Sequence, residues 1–382
     1  MGIKDIGIYV HIPFCVQKCF YCDFISFANK KEIIKNYIEA LKKEIEYVGA
    51  SIMSAQNSEI TTIYIGGGTP SFVDSKYIVE IIDTIKSNFR INKGAEITIE
   101  INPGTVTKEK LEDYTKCGIN RASIGLQSTD NKLLKQIGRI HTYEQFLNTY
   151  EIVRNVGFKN VNVDLMLALP NQTIEILEDS LKKVIAIKPE HISVYSLILE
   201  EGTKLYDLVE NEGIRLVDEE TERKMYWKVK NILEQNGYNH YEISNFAKNG
   251  FESKHNLNCW KQKEYLGMGT AAHSYYNKTR YSNTDNLEEY IENISEGKNT
   301  KIVHETQKET DEQKEYMLLG LRKIEGVSIS KFKEKFVQNP IYIFRKELNI
   351  LVEQELVEVD IDSIKLTNKG LDLANLVWEE FV

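Results

Sequence analysis

The chain has 382 residues, with 48 Lys and Arg against 57 Asp and Glu, so its formal net charge is −9. Hydrophobic residues make up 42% and charged residues 27%, which is typical of folded globular proteins and excludes disordered or fibrous chains. No run of the sequence approaches the roughly 18 apolar residues of a membrane-spanning helix. At about 150 residues per domain, the length predicts two domains or one large barrel with an extension.

Six β-prone segments, each followed by a helical pattern, run through the first 200 residues. We predict strands at residues 6–12, 61–65, 96–101, 121–126, 161–167 and 191–197. We predict helices between them at residues 31–48, 76–89, 108–116, 143–156 and 174–187. Thr107 is placed to cap the helix at 108, and Gly118 and Gly157 stand where helices end. This alternation predicts an α/β fold with a parallel sheet, open or curled into a barrel, and functional groups at the carboxyl ends of the strands.

The pattern changes after about residue 205. A helix at 222–236 leads into a stretch rich in His and aromatic residues at 238–281. From about residue 305, three helices, a hairpin and a last helix resemble a winged helix. This region holds 11 basic and 16 acidic residues, a net charge of −5, so we predict no binding to nucleic acid. The predicted domains are therefore 1–205, 206–304 and 305–382.

The cysteines carry the strongest functional signal. Three of the five, Cys15, Cys19 and Cys22, lie within eight residues directly after the first predicted strand. The odd count and the absence of a secretory signal argue against a disulfide framework and predict a cytoplasmic protein. Three thiolates can hold three irons of a [4Fe–4S] cluster and leave the fourth iron open. Zinc held by the same cysteines and His11 is the alternative that the spacing leaves open.

The cysteine spacing, the string GGGTPS at 66–71 and the six strand–helix units together resemble the radical S-adenosylmethionine (SAM) superfamily. The longer strings YVHIPFC and KCFYCDF resemble its branch of oxygen-independent coproporphyrinogen III oxidase, and most closely that branch's HemW-type heme chaperones. The resemblance implies a partial (β/α)6 radical SAM barrel with a C-terminal α+β extension and a small winged-helix-like domain. It also implies a [4Fe–4S] cluster and SAM as cofactors, with the hard chemistry supplied by the cofactors.

The resemblance assigns binding residues by position in the motifs. Cys15, Cys19 and Cys22 would hold the cluster. The residues implied for SAM are Tyr9, Tyr21, Gly67, Gly68, Thr69, Glu100, Gln127, Arg139 and Asp164. Taken singly, several of these have ordinary structural explanations, such as a turn for the glycines and a surface ion pair for Arg139.

Two functions compete on this scaffold, heme chaperone and coproporphyrinogen III oxidase. The oxidase resembles CxxxCxxCxC, and Phe24 stands here at the position of its fourth cysteine. The oxidase also carries a segment before its first strand, whereas the first strand here is predicted near Ile6. The string HNLNCW at 255–260 resembles the HNxxYW motif associated with heme binding, which makes His255 the implied heme ligand. Cys259 replaces the tyrosine of that motif; a buried packing residue is the expectation for it, with a thiolate heme ligand as the alternative. For His273, lining the same pocket and ordinary packing are both left open, and His11 and His141 receive no catalytic role.

We therefore predict a heme chaperone with a cluster and SAM, and keep the oxidase as the alternative. The implied partners are heme and heme-acceptor proteins, respiratory enzymes among them. Peripheral contact with a membrane and a homodimer are left open, and no membrane anchor is predicted.

Overall fold

Twelve strands form one mixed sheet in the computed structural model, which describes residues 4–53 and 58–382. In chain order these strands are β1 (Lys4–Ile12), β2 (Ser58–Gly67), β3 (Ile91–Ile101), β4 (Arg121–Gln127), β5 (Asn160–Leu167), β6 (His191–Ser196), β7 (Asn239–Glu242), β8 (Asn245–Ala247), β9 (Tyr265–Met268), β10 (His273–Tyr276), β11 (Thr279–Asn283) and β12 (Lys301–Thr306). Their order across the sheet is β12-β11-β10-β9-β1-β2-β3-β4-β5-β6-β8-β7. Strands β1 to β6 are parallel neighbours in chain order, which confirms the predicted α/β core.

Helices follow each of the six parallel strands. The helices of the chain are α1 (Ile34–Met53), α2 (Ser75–Asn88), α3 (Lys108–Lys116), α4 (Asn131–Gln136), α5 (Tyr143–Val156), α6 (Ile174–Ala186), α7 (Lys204–Glu212), α8 (Glu219–Gln235), α9 (Lys254–Trp260), α10 (Leu287–Ser295), α11 (Glu309–Gly320), α12 (Ile329–Phe336), α13 (Pro340–Ile343), α14 (Arg345–Glu353), α15 (Asn368–Asp372) and α16 (Ala374–Glu379). The predicted caps are present: Thr107 accepts a hydrogen bond from the Lys110 amide, and Gly157 ends α5 with φ 108°.

Side chains alternate between the two faces of the parallel strands. One face is apolar and packs against the helices, as with Ile63 and Ile65 of β2, both fully buried in the main core. The other face is polar, as with Thr62 and Tyr64 of the same strand. Because the side-chain period of a strand is two, this alternation gives the sheet an apolar outer layer and a polar interior.

The middle of the chain adds strands to both edges of the parallel core. On one side, β8 pairs antiparallel with β6 and β7 with β8. On the other side, β9 pairs parallel with β1, and β10, β11 and β12 continue antiparallel. Strand β12 is the free edge, and all six of its residues are exposed. The division of the chain at residues 205 and 304 stays a prediction.

The C-terminal region has its own core and its own small sheet. Strands β13 (Val327–Ser328), β14 (Val357–Val359) and β15 (Ser363–Leu366) pair antiparallel in the order β13-β15-β14. Together with α11 to α14 they form the expected winged-helix-like arrangement. Across residues 4–53 and 58–382, no helix is long and apolar enough to cross a membrane.

Candidate functional site

The three-cysteine loop leaves the carboxyl end of β1 and is fastened at its base. Phe14 and Cys15 pair in parallel with Phe27 and Ala28, which closes the loop between them. In the middle of the loop, the Phe20 amide donates a hydrogen bond of 3.0 Å to the Ile137 carbonyl. The backbone therefore holds the loop against both its own base and the segment after α4.

Two of the cysteine sulfurs accept hydrogen bonds from neighbouring loops. The Thr69 hydroxyl donates to Cys15 Sγ at 3.4 Å, and Arg139 Nη1 donates to Cys19 Sγ at 3.6 Å. A Cβ on Gly68 would lie 3.0 Å from Cys15 Sγ, so only glycine leaves this sulfur its space. Hydrogen-bond donors around sulfur stabilise thiolates and tune the metal that they hold.

The geometry disfavours the zinc alternative. Both ring nitrogens of His11 are engaged, Nδ1 with the Tyr9 hydroxyl at 2.9 Å and Nε2 with the Ile25 carbonyl at 2.8 Å. Among the residues that the structure describes, no group of three or more His, Cys, Asp or Glu side chains is placed to hold a single metal ion. In a cubane cluster each cysteine holds a different iron, so its ligands need not meet at one point.

A cavity of about 530 Å³ opens beside the cysteine loop, over the carboxyl ends of the parallel strands. That volume falls within the roughly 300–1,000 Å³ of small-molecule sites. The three cysteines line it, together with eight of the nine residues predicted for SAM: Tyr21, Gly67, Gly68, Thr69, Glu100, Gln127, Arg139 and Asp164. Tyr9, the ninth, lies one layer further away and stacks on Tyr64, a lining residue, with ring centroids 6.3 Å apart.

Glu100 is held rigidly in the cavity wall. Its Oε1 accepts a hydrogen bond from the Tyr64 hydroxyl at 2.9 Å, and its Oε2 accepts one from the Gly67 amide at 3.1 Å. Burial, with a contribution from nearby Asp164, raises the pKa of Glu100 to about 7. A carboxyl group in this state suits the binding of a polar or cationic ligand group that compensates for its burial.

Arg139 and Asp164 complete the polar wall. Arg139 Nη2 donates to the Gly125 carbonyl and to Asn102 Oδ1 at 3.0 Å, while its buried Nε finds no hydrogen-bond partner within the described chain. Asp164 accepts from Asn162 at 2.7 Å and from Ser123 at 3.2 Å, and burial raises its pKa. An unpaired buried donor beside the cavity fits a site that is completed by a ligand.

Gln127 reaches the cavity through a local irregularity of β4. The register between β4 and β5 shifts at Gly125/Gln127, and Gln127 has φ 71°. Bulges of this kind redirect side chains and are frequent beside functional sites. The strand prediction placed Gln127 at the strand end but did not foresee the bulge.

Several lining residues were missed by the sequence reasoning. Tyr64, Asn102, Ser123 and Tyr195 all face the cavity. The sequence did indicate three of them. Ser123 lies two residues before Gly125, and Tyr64 lies two residues before Gly66, and side chains two residues apart on a strand point to the same face. Extending the polar face by two residues along each strand from the motif residues would have found Tyr64, Asn102 and Ser123, whereas the strand of Tyr195 carries no motif residue.

His255 lies away from the cavity wall. Its ring is buried, with Nδ1 2.9 Å from the Thr62 hydroxyl and the ring centroid 5.3 Å from that of Tyr64. Its amide and that of Lys254 donate to the Glu96 carboxylate. Helix α9 therefore packs against the polar face of β2 and against β3. Phe24, by contrast, lines the cavity mouth and is 64% exposed.

A parallel strand–helix core with a three-cysteine loop and a glycine-lined cavity at its carboxyl edge defines the radical SAM class of proteins. In agreement, the family model described as Radical SAM superfamily matches residues 9–184, and the one described as HemN C-terminal domain matches residues 308–373. Members of the radical SAM superfamily carry a [4Fe–4S] cluster and SAM, and the donor set described above fits both groups.

Sequence identity to known proteins shows to which family of the radical SAM class the chain belongs. The heme chaperone HemW of Lactococcus lactis is 37% identical over 379 residues, covering 99% of this chain and 98% of that protein. The heme chaperone HemW of Bacillus subtilis is 37% identical over 377 residues, covering 98% of each. The chain belongs to the HemW family, which confirms the resemblance seen in the sequence. Coproporphyrinogen III oxidase (HemN) from Escherichia coli shares the fold, with a TM-score of 0.86 at 23% identity over 99% of this chain and 90% of that one.

Proposed function

We propose that this protein is a heme chaperone, which binds heme and transfers it to acceptor proteins while it carries a [4Fe–4S] cluster and SAM. The observation that carries the proposal is the 37% identity, over nearly the full length of both chains, to two proteins named heme chaperone HemW. The proposed acceptors include respiratory enzymes.

The residues of the cavity divide between the two cofactors. Cys15, Cys19 and Cys22 would hold the cluster, with Thr69 and Arg139 donating hydrogen bonds to its cysteine ligands. The nine residues predicted for SAM would bind it: Tyr9, Tyr21, Gly67, Gly68, Thr69, Glu100, Gln127, Arg139 and Asp164. When bound, the cluster and SAM supply one-electron chemistry, and the protein supplies binding and orientation.

Phe24 supports the chaperone over the oxidase. Its benzyl side chain has no atom that can coordinate iron, and it stands at the mouth of the cavity where the oxidase motif has a fourth cysteine. The shared fold of the oxidase does not decide between the two functions, because one fold can serve several.

Further proposals follow for location and partners. We propose a cytoplasmic protein that meets its acceptors directly or at a membrane surface, alone or as a homodimer. Nucleic acid is not among the proposed partners, since the winged-helix-like region carries a net charge of −5.

An anaerobic oxidase assay tests the proposal. Protein reconstituted with iron and sulfide is incubated with SAM, a reductant and coproporphyrinogen III, beside an authentic oxidase as the positive control. We expect no protoporphyrinogen IX above background, and saturable binding in a parallel hemin titration. Conversion of coproporphyrinogen III at a rate near that of the control would reject the chaperone assignment.

A further inference from the structure

The seven histidines fall into two groups by accessibility. Five are buried, and each has a ring nitrogen in a hydrogen bond: His11, His141, His191, His240 and His255. The other two, His273 on β10 and His304 on β12, are exposed. A porphyrin iron can be reached only by an imidazole that has open space in front of it, which selects the exposed pair.

The two exposed imidazoles are stacked on each other. Their ring centroids are 5.4 Å apart and their planes are inclined by 17°. In the ladder between β11 and β12, Arg280 pairs with Glu305 and Tyr281 pairs with Val303, so His304 is the extra residue of a β-bulge. A bulge re-aims the side chain of its extra residue, and here that side chain packs against His273.

The hydrogen bonds of the pair differ in a way that suits metal binding. His304 Nε2 lies 2.9 Å from the Ser282 hydroxyl, which fixes its ring. No residue in the described ranges forms a hydrogen bond with the ring of His273. Partial burial, together with the neighbouring His304 and Arg280, lowers the pKa of His273. These surroundings favour the neutral imidazole, which is the form that offers a lone pair to a metal.

The register of the sheet places His273 on the face that carries the cavity. His273 and Tyr275 share one face of β10, and Tyr275 pairs with Tyr265 of β9. Tyr265 in turn pairs with Gly7 of β1. Tyr9, two residues further along β1 and therefore on the same face as Gly7, pairs with the cavity residue Tyr64 of β2. His273 is thus three strands from Tyr64 on the same face, a distance of about 14 Å at the usual strand spacing.

We propose that His273 is an axial ligand of heme iron and that His304 is a positioning residue that holds its ring. The bond is a dative one from the His273 lone pair to the iron, with no electron transferred. Ile302, whose β11 partner is Ser282 and which is 49% exposed, offers apolar surface to the macrocycle on the same face. The inference rests on the proposed heme binding and places the heme beside the SAM cavity, away from His255.

Hemin titration of the reconstituted full-length protein tests the inference. His273→Ala is compared with His255→Asn, and iron content and SAM binding serve as measures of an intact fold. We expect His273→Ala to weaken hemin binding at least tenfold and to lose the absorption bands of imidazole-ligated heme. Free imidazole in the buffer should restore those bands. His255→Asn should titrate like the wild type.

Variants of His304 separate positioning from ligation. His304→Phe keeps a flat ring against His273 and should retain wild-type affinity, whereas His304→Ala should weaken binding several-fold without removing the imidazole-ligated bands. If His273→Ala binds hemin as tightly as the wild type does, and His255→Asn loses binding, the inference is overturned and the proposed function stands. Absence of saturable hemin binding by the wild-type protein would overturn both.

Discussion

The guanidinium carbon of Arg322 lies 4.5 Å from the centre of the Trp260 indole ring. Trp260 is the last residue of α9, the helix that also carries His255, whereas Arg322 follows α11 in the C-terminal region. Arg322 also lies 4.7 Å from the ring of Trp378, near the C-terminus. Helix α9, which packs against β2 and β3, is therefore held to the winged-helix-like unit by cation–π contacts of Arg322 with two indole rings.

Replacing Arg322 should destabilise the protein. Arg322→Ala removes both cation–π contacts. It also removes a positive charge that offsets part of the effect of burial on Glu242, the carboxyl group whose pKa is raised chiefly by burial. We expect a loss of about 2–4 kcal/mol in the free energy of unfolding, measured in urea. Arg345→Ala, an exposed position in the same unit, is the control and should change it by less than about 0.5 kcal/mol. Equal effects of the two variants would show that the contacts contribute nothing.

Gly68→Ala should block assembly of the metal site. The new Cβ would lie 3.0 Å from Cys15 Sγ and from the backbone of Phe14, neither of which can move without opening the loop base. Gly94→Ala is the matched control, since its Cβ would meet only an Asn92 side-chain oxygen at 3.4 Å. Iron per chain after anaerobic reconstitution should fall at least twofold in Gly68→Ala alone. Full iron content in Gly68→Ala would contradict the described packing.

The buried His255 predicts a specific loss of stability in acid. Burial, helped by nearby Arg121, lowers its pKa to about 4 from the ordinary value of about 6.5. Between these values the unfolded chain binds the proton and the folded chain does not, so stability falls as the pH falls from about 6.5 to 4. The loss from this one group is roughly 3 kcal/mol. Urea titrations across this range should show a smaller acid-induced loss for His255→Asn than for the wild type. Parallel curves for the two proteins would mean that His255 is protonated in the folded state.

The cysteines should separate into cluster ligands and packing residues. Cys19→Ser should yield colourless protein, because one iron of the cluster loses its ligand. Cys117→Ala should stay brown, since Cys117 is buried at the end of α3, outside the cavity wall. The measurements are iron and sulfide per chain and the visible spectrum. Colourless wild-type protein with one zinc per chain would contradict the radical SAM assignment of the site.

Local signals predicted much of the fold because they act over a few residues. Helix α5 begins at Tyr143 and ends at Val156 as predicted, with its capping box at Thr142 and its glycine stop at Gly157. The helix predicted from residue 31 begins at Ile34, because residues 31–33 form a 3₁₀ turn first. Amphipathic periodicity does not distinguish such a turn from the first turn of an α-helix.

The candidate site was less visible where it depends on distant parts of the chain. The spacing of the cysteines identified their loop, and the family resemblance identified eight of the cavity residues, because positions in a motif can be assigned without knowledge of tertiary contacts. Burial of His255 under Tyr64 depends on α9 packing against β2 and β3, and no local pattern encodes that contact. The bulges at Gln127 and His304 likewise arise from pairing between strands, which a single segment does not specify.

Transfer of heme to an acceptor enzyme is the property that separates a heme chaperone from a protein that only binds heme. Heme-loaded protein is mixed anaerobically with a respiratory enzyme stripped of heme, in membranes and in detergent, with an equal amount of free hemin as the control. We expect the enzyme to regain activity faster than with free hemin, while the absorption of the heme bound to the chaperone decreases in parallel. Retention of heme by the chain, or recovery no faster than with free hemin, would contradict the proposed function.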